Sequence, residues 1–493
     1  MEVGIVSYGV YLPRYRLNNK TLAEAWRRPA DKSGKAVANF DEDSLTLATE
    51  SCFNALDNCD NATPDSLSFA STTFPYQEKL SANIITALLD LPETTRTQDF
   101  AHSLRAGTMA LIKASEDLKA GYSKLSLVTA ADCRTAQPGS DLEPFIGDGG
   151  ACLLLGTDRL IAKVVETYSI SSDFTDIWRK DTDTYINSGD MRFGQEFGYT
   201  RLMEMAINGM LKKIGRGPQD FAKVILTPRD ARSHLGLSKI IGFDPKTQLQ
   251  DVTSFIGFTG TAHPFIALCA VLETAKPKDK ILLASYGDGC DVIILEVTNE
   301  IKKTQDKKLF QIALTRRKEL TSYTKFLEFR ELLKGQPKIA AEAFTSLIMQ
   351  NREQDIMMQL KAKKCQKCQM ILTLRQKVCS QCGAIDKPAR LDDRSDGRRS
   401  GGFEEVKLSR TGKIYTYTQE YYYPSPEPPT TMAVIDLDAR PPEPVGQSGG
   451  RILLQMTDTD ADKVQIGMPV KLTYRKMHEA GGFYNYYWKC RPL

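Results

Sequence analysis

Cys365 and Cys368, then Cys379 and Cys382, form two Cys-x2-Cys pairs with ten residues between them. Each pair can present two thiolates from one knuckle, and two facing knuckles make a tetrahedral S4 site. Zn2+ suits such a site: it has no ligand-field preference, it favours thiolate, and it holds together a module too small for its own core. With cysteine at all four positions no coordination site stays open for catalysis, so the expected metal is structural. A redox dithiol would not need two pairs at this spacing. Eleven cysteines is an odd number, and single ones inside apolar segments (Cys152, Cys269) suit buried thiols better than a disulfide framework.

The elements that must position such groups show an internal repeat. Gly147-Asp148-Gly149, continuing as an apolar run to Leu155, nearly recurs 140 positions later as Gly287-Asp288-Gly289, continuing to Leu295. Each copy follows a strand-like run, Leu125 to Ala131 and Ile281 to Tyr286. Asp-Gly alone is the common hairpin turn. The matching flanks imply strand, turn, strand at the same place in two copies of one α/β unit of roughly 140–150 residues, longer than any solenoid period. The seam between two such copies is a natural ligand site.

Residues 1–300 alternate strand-like stretches (Val3–Leu12, Leu67–Thr72, Ala162–Tyr168, Val224–Thr227, Ile281–Tyr286) with helical ones (Ser44–Asp57, Ala82–Leu89, Ala106–Ala120, Tyr199–Ile214, His263–Ala275), which argues for a layered α/β core. We divide them into halves at 1–158 and 159–300. Residues 301–360 read as a helical connector broken at Gly335-Gln336-Pro337, and 361–390 as the cysteine module. Residues 391–493 read as a small barrel of OB type: after the polar stretch 391–402, expected to be mobile, five alternating strands follow (Lys413–Tyr417, Thr431–Leu437, Ile452–Met456, Pro469–Arg475, Tyr484–Cys490).

Hydrophobic content of 41% and charged content of 26% are those of a soluble globular protein. No apolar run reaches membrane-spanning length. Met1-Glu2-Val3-Gly4-Ile5-Val6 reads as a strand rather than a signal segment, so a cytoplasmic location is expected. Net charge is +4, yet residues 301–400 hold 23 Lys+Arg against 11 Asp+Glu. That basic stretch would meet nucleic acid or the phosphates of coenzyme A, or be a solvated linker.

Residues 1–300 resemble the thiolase superfamily, and most closely its archaeal-type 3-hydroxy-3-methylglutaryl-CoA synthases. The resemblance is carried by Gly9-Val10-Tyr11-Leu12-Pro13-Arg14-Tyr15-Arg16, by Arg105-Ala106-Gly107-Thr108, by Gln137-Pro138-Gly139-Ser140-Asp141-Leu142-Glu143 with Gly147-Asp148-Gly149-Gly150, and by Ile177-Trp178-Arg179-Lys180. Residues 340–493 resemble the zinc-ribbon/OB module that accompanies such enzymes, on the four cysteines, Gly412-Lys413-Ile414-Tyr415-Thr416-Tyr417-Thr418 and Ile466-Gly467-Met468-Pro469-Val470. The resemblance implies a duplicated five-layered αβαβα fold, a homodimer, an acyl-CoA thioester as substrate bound between the halves, and a ribbon/OB module able to bridge partner subunits.

The departures fall on the chemistry. The family's nucleophilic Cys precedes the Ala-Gly-Thr turn, where this chain has Leu104, with Ser103 beside it. The family's acid/base Glu aligns with Thr72 and its His with Thr227. The groups left are few. His263, in Thr259-Gly260-Thr261-Ala262-His263-Pro264, is similar to the thiolase Gly-His-Pro loop, whose histidine helps stabilise a thioester oxyanion; a helix N-terminus suits that task. His102 and Ser103 could pair as base and hydroxyl, although neighbours on a strand point to opposite faces. His234, Tyr76 and Asp230 are further candidates for proton transfer. Three functions fit: an acyl-CoA enzyme making or breaking a carbon–carbon bond by aldol, retro-aldol or Claisen-type chemistry without an acyl-Cys; an inert thiolase-fold scaffold for a partner enzyme; and, least, a single-stranded nucleic-acid binder using Tyr421, Tyr422 and Tyr423.

Overall fold

The computed structural model describes residues 1–59, 62–333, 346–374, 376–386, 402–423, 425–439 and 448–493. The chain divides into two compact units, Met1–Lys334 and Gly335–Leu493.

The first unit is built on a duplicated sheet. The first half contributes β1 (Gly4–Tyr11), β2 (Ser66–Ala70), β3 (Arg96–Phe100), β4 (Ser126–Asp132) and β5 (Gly149–Gly156), in the order β1-β5-β4-β2-β3. The second half contributes β6 (Ala162–Ser171), β7 (Lys223–Leu226), β8 (Lys280–Tyr286) and β9 (Gly289–Val297), in the matching order β6-β9-β8-β7. A bridge from Val224 to Leu249 stands where β3 stands in the first half. The half-sheets join through β1 and β6, where Gly4 and Ile5 pair antiparallel with Lys163 and Ala162.

Alternation along the strands sorts the layers. Leu153 and Leu155 of β5, and Ile293 and Leu295 of β9, share one core with helices α2 (Ala106–Lys119) and α4 (His263–Leu272). Val292 and Ile294, one residue out of phase, turn to a second core under α3 (Arg201–Ile214), as a two-residue side-chain period requires. Helix α1 (Ser44–Leu56), started by a capping box between Asp43 and Thr46, covers the outer face of the first half. The stack is therefore helix, half-sheet, central helices, half-sheet, helix. Every residue of α4 is buried, as befits an apolar helix enclosed between two sheets.

Two expectations are corrected. Only the second Gly-Asp-Gly is a hairpin: β8 and β9 pair from Lys280↔Glu296 to Tyr286↔Cys290. The first lies at the start of β5, separated from β4 by residues 133–148, and its Asp148 is fully buried, accepting from the Ala38 N–H and from Arg330. Nor is 301–333 a free-standing connector. Lys318–Glu319 pairs with Tyr15 and Arg16, and Phe326 and Phe329 pack onto Tyr15, Leu17 and Val37. The break at Gly335-Gln336-Pro337 and all of 391–402 except Gly402 lie outside the described residues.

In the second unit Lys361–Cys365 pairs with Ile371–Leu372 and with Phe403–Lys407. Five strands follow: β10 (Thr411–Glu420), β11 (Thr430–Asp438), β12 (Ser448–Gln455), β13 (Pro469–Ala480) and β14 (Phe483–Pro492), in the order β12-β11-β10-β13-β14. A bridge from Met456, just past β12, to Cys490 on β14 nearly closes them into a small barrel. Among the described residues no helix is long and apolar enough to cross a membrane.

Candidate active site

A cavity of 690 Å³ opens in the first unit, walled by β-strand ends and loops of both halves. From the first half come Ser71, Thr72 and Tyr76 after β2, the turn Ala101–Leu104 before α2, and Arg134 after β4; from the second come Asp176–Asp181 and Tyr286–Asp288. The seam is held by Arg105, whose Nη1 lies 2.8 Å from the Asp291 carboxylate, while the Thr108 hydroxyl donates to the same carboxylate at 2.8 Å. This accounts for Arg105-Ala106-Gly107-Thr108: it fastens the start of α2 to the β8–β9 hairpin. Gly287 lies so close to the turn that a Cβ there would come within 3.0 Å of the Ser103 hydroxyl, Arg105 N and Leu104 N.

The three positions that the resemblance assigns to catalysis hold groups with other contacts. Leu104 is half-buried against Phe145, Phe258 and Ile177 and lines the cavity with an isobutyl group. Thr72 donates from its N–H and its hydroxyl to Asp132, at 2.7 and 3.0 Å. Thr227 is buried, accepting from the Tyr286 N–H at 2.9 Å through its hydroxyl and from the Tyr199 hydroxyl at 2.9 Å through its carbonyl.

The sequence candidates are scattered. His102 and Ser103 line the cavity. His102 is exposed in a left-handed conformation (φ 68°), and the Ser103 hydroxyl donates to the Gly287 carbonyl at 3.0 Å, not to His102. Tyr76 also lines the cavity. His263 lies outside its lining: it is buried, edge-on to Phe258 at 5.2 Å, with Nδ1 3.4 Å from the Thr259 hydroxyl. Burial lowers its pKa to about 3, so the ring is neutral. His234 is buried with Nε2 3.4 Å from Asp251. Burial alone would raise the Asp251 pKa, but His234 and the N–H and hydroxyl of Thr253 together outweigh it and bring it down to about 2. Asp230 caps a helix start, accepting from the N–H groups of Arg232 and Ser233. Tyr421 and Tyr422, with Tyr423 less so, are exposed on the second unit.

Sequence reasoning missed a buried network facing the cavity. Arg229 grips Asp176 with two hydrogen bonds, 2.8 Å from Nε and 2.7 Å from Nη2, and the Tyr286 hydroxyl donates to the same carboxylate at 3.1 Å. Asp176 and Tyr286 line the cavity, and all three side chains are at least nine-tenths buried. A π-helix, Gly194–Thr200, covers the network. A Cβ on Gly194 would meet the Arg229–Asp176 pair at 2.3–2.4 Å, and one on Gly198 would meet the Tyr286 hydroxyl at 2.7 Å, so both glycines are required for close approach. Burial first, then the Asp176 charge, raises the Tyr286 pKa, keeping the phenol protonated. The available signals were slight: Asp176 adjoins Ile177-Trp178-Arg179-Lys180, and Arg229 adjoins the candidate Asp230.

In the second unit Cys365 and Cys382 have their sulfurs 3.6 Å apart, Cys368 and Cys379 3.5 Å, and all four sulfurs lie within 4.8 Å of one another. Tetrahedral zinc with Zn–S of about 2.3 Å spaces its sulfurs about 3.8 Å apart, so the set fits. The two knuckles match: Gln369 N–H donates to Cys365 O at 2.8 Å and Gly383 N–H to Cys379 O at 2.9 Å, with Gln369 and Gly383 both left-handed.

A cavity at the seam of duplicated halves in five layers defines a thiolase-like fold. The solved structure of an HMG-CoA synthase complexed with CoA matches it at a TM-score of 0.60 and 21% identity, covering 70% of this chain and 95% of that one. The chain belongs to the hydroxymethylglutaryl-CoA synthase family. It is 30% identical to the hydroxymethylglutaryl-CoA synthase of Methanocaldococcus jannaschii over 343 residues, 67% of this chain and 99% of the relative, and 30% identical to that of Archaeoglobus fulgidus over 347 residues, 68% and 100%. Residues 405–475 match the family model for the C-terminal OB-fold domain of ChsH2.

Proposed function

We propose that this chain is an acyl-CoA-dependent enzyme that makes or breaks a carbon–carbon bond by aldol or retro-aldol chemistry, without a covalent acyl-enzyme. The observation that carries the reading is the pairing, in one cavity, of Leu104 at the nucleophile position with the Tyr286–Asp176–Arg229 network. Retro-aldol cleavage needs a base for the 3-hydroxyl proton and a donor for the enolate oxygen, but no nucleophile. Tyr286 takes the hydroxyl proton as its own passes to Asp176, the C2–C3 bond breaks, and the electron pair moves to the thioester carbonyl. Arg229 holds Asp176 in place. His102 stands at the cavity rim, where it can donate to the enolate oxygen. His263, buried away from the cavity lining, supports the helix start rather than the reaction.

The four cysteines hold a structural Zn2+. The active form is a homodimer, with the OB domain available to bridge a partner enzyme. The test is turnover of 3-hydroxyacyl-CoA thioesters by the zinc-loaded protein: cleavage to a shorter acyl-CoA plus a carbonyl compound, lost in Tyr286→Phe, supports the reading. A second reading, an inert scaffold, draws on the filling of all three machinery positions by Leu104, Thr72 and Thr227. No turnover of any thioester, together with stoichiometric capture of an active acyl-CoA enzyme, would favour it.

A further inference from the structure

The wall of the cavity continues outside it as a row of aromatic rings. Phe174 lines the cavity and lies against the π-helix, where a Cβ on Gly198 would collide with its ring. Phe174 stacks on Phe193 at 5.5 Å and 23°, and Phe193 meets Phe197 at 5.1 Å and 32°. Gly194 and Gly198 give the inner side of this segment to the Arg229–Asp176 pair and the Tyr286 hydroxyl. The phenylalanine ahead of each glycine is left on the solvent side: Phe193 is 54% exposed and Phe197 46%. Leu80 and Trp178, which line the cavity, are also exposed, so the apolar surface runs from the cavity wall out past its mouth.

Single exposed apolar side chains are ordinary, but rings stacked in a row and continuous with a cavity mark a binding surface. The charges around them are mixed: Asp190, Arg192, Glu196 and Arg201 are all exposed, which is not the basic face that an anionic membrane surface attracts. The continuity through Phe174 points to the occupant. Whatever covers Phe193 and Phe197 extends from a molecule already seated in the cavity. We propose that these rings receive the far end of a long apolar acyl chain whose thioester end lies at Tyr286, so that the site favours thioesters of long hydrocarbon acids over short ones. This rests on the acyl-CoA reading above and adds the substrate class to it.

The test is calorimetric binding to the full-length, zinc-loaded chain, using free CoA and the even-numbered acyl-CoA series from butyryl to dodecanoyl, each below its micelle concentration. Wild type is compared with Phe193→Ser/Phe197→Ser and with Phe193→Leu/Phe197→Leu. In wild type each added CH2 is expected to tighten binding about 2–4-fold through the whole series, up to the worth of one fully buried methylene. In the serine variant the gain is expected to stop once the chain leaves the cavity. Dodecanoyl-CoA then binds at least ~10-fold more weakly than to wild type, the worth of about two methylenes. Free CoA and butyryl-CoA, which do not reach the rings, are expected to bind alike in both, which also shows that the variant is folded. The leucine variant keeps the apolar surface and is expected to keep the gain. Phe197→Ser alone decides the matter should the double serine variant not fold. A gain that is equal in wild type and serine variant, or absent from wild type, overturns the proposal and assigns the rings to a protein partner. So does a loss as large in the leucine variant as in the serine variant, which would make the rings structural. Should no thioester bind, the acyl-CoA reading fails on its own and free decanoate decides: binding that weakens in the serine variant keeps the apolar track, and its absence overturns it.

Discussion

A single carboxylate, Asp176, carries most of what distinguishes this cavity. It is clamped by Arg229 from one side and touched by Tyr286 from the other. Tyr286→Phe removes only the oxygen that takes the substrate's proton in the proposed reaction. Its kcat is expected to fall ~10²–10⁴-fold with little change in KM, the range for loss of a general acid–base group; steady-state kinetics on a cleaved 3-hydroxyacyl-CoA reads it. Arg229→Met leaves the Asp176 charge buried and alone, so it is expected to destabilise the first unit by about 3–5 kcal/mol, seen as a lower urea midpoint. Leu104, Thr72 and Thr227, the positions that the resemblance assigns to catalysis, could be named from the sequence because each sits in or beside a run of recognisable residues. The network was not. Asp176 and Arg229 are 53 residues apart and Asp176 and Tyr286 110 apart, and nothing in either segment's own pattern says that they meet.

At the scale of elements, hydrophobic period and capping residues located most strands of the large sheet and helices α1 to α4 to within a few residues, but not Tyr15–Asn18, Asn19–Trp26, Gly34–Val37, Arg96–Phe100 or Ser233–Ile241. Asp43 ahead of Ser44 shows why: a local hydrogen bond fixes a local boundary. What could not be read is how loops differ between copies, since the long excursion after β4 and the tight β8–β9 hairpin both carry Gly-Asp-Gly. Helix α4 makes a pH prediction. His263 at its start has its pKa lowered to about 3 by burial, against about 6.5 in an unfolded chain. Between those values the unfolded chain binds the extra proton, so stability is full above about pH 6.5 and falls as pH drops toward 3, by at most about 1.4 kcal/mol per unit. Urea midpoints between pH 7.5 and 4.5 should show that slope reduced in His263→Phe. The cysteine knuckles make another: a strong chelator, or Cys379→Ser, is expected to release one Zn2+ per chain by elemental analysis and to abolish near-native ellipticity from residues 361–386, because a module this small has no core to fall back on.

For the whole molecule, the duplication read from two short motifs proved to be one of topology, with strand order mirrored from β1 and β6 outward. The mass follows from the same family resemblance: a dimer should sediment at about twice the 55.0 kDa of one chain, and a monomer at micromolar concentration would remove the homodimer from the proposal. The mirrored order also places two helix starts at the centre, where Gly107 of α2 lies against the Thr261 carbonyl just ahead of α4. The first of these starts borders the cavity, and its twin is buried, with the neutral His263 ring edge-on to Phe258. The two copies thus divide their labour: one helix start faces open space, and the other serves cohesion, packed on all sides.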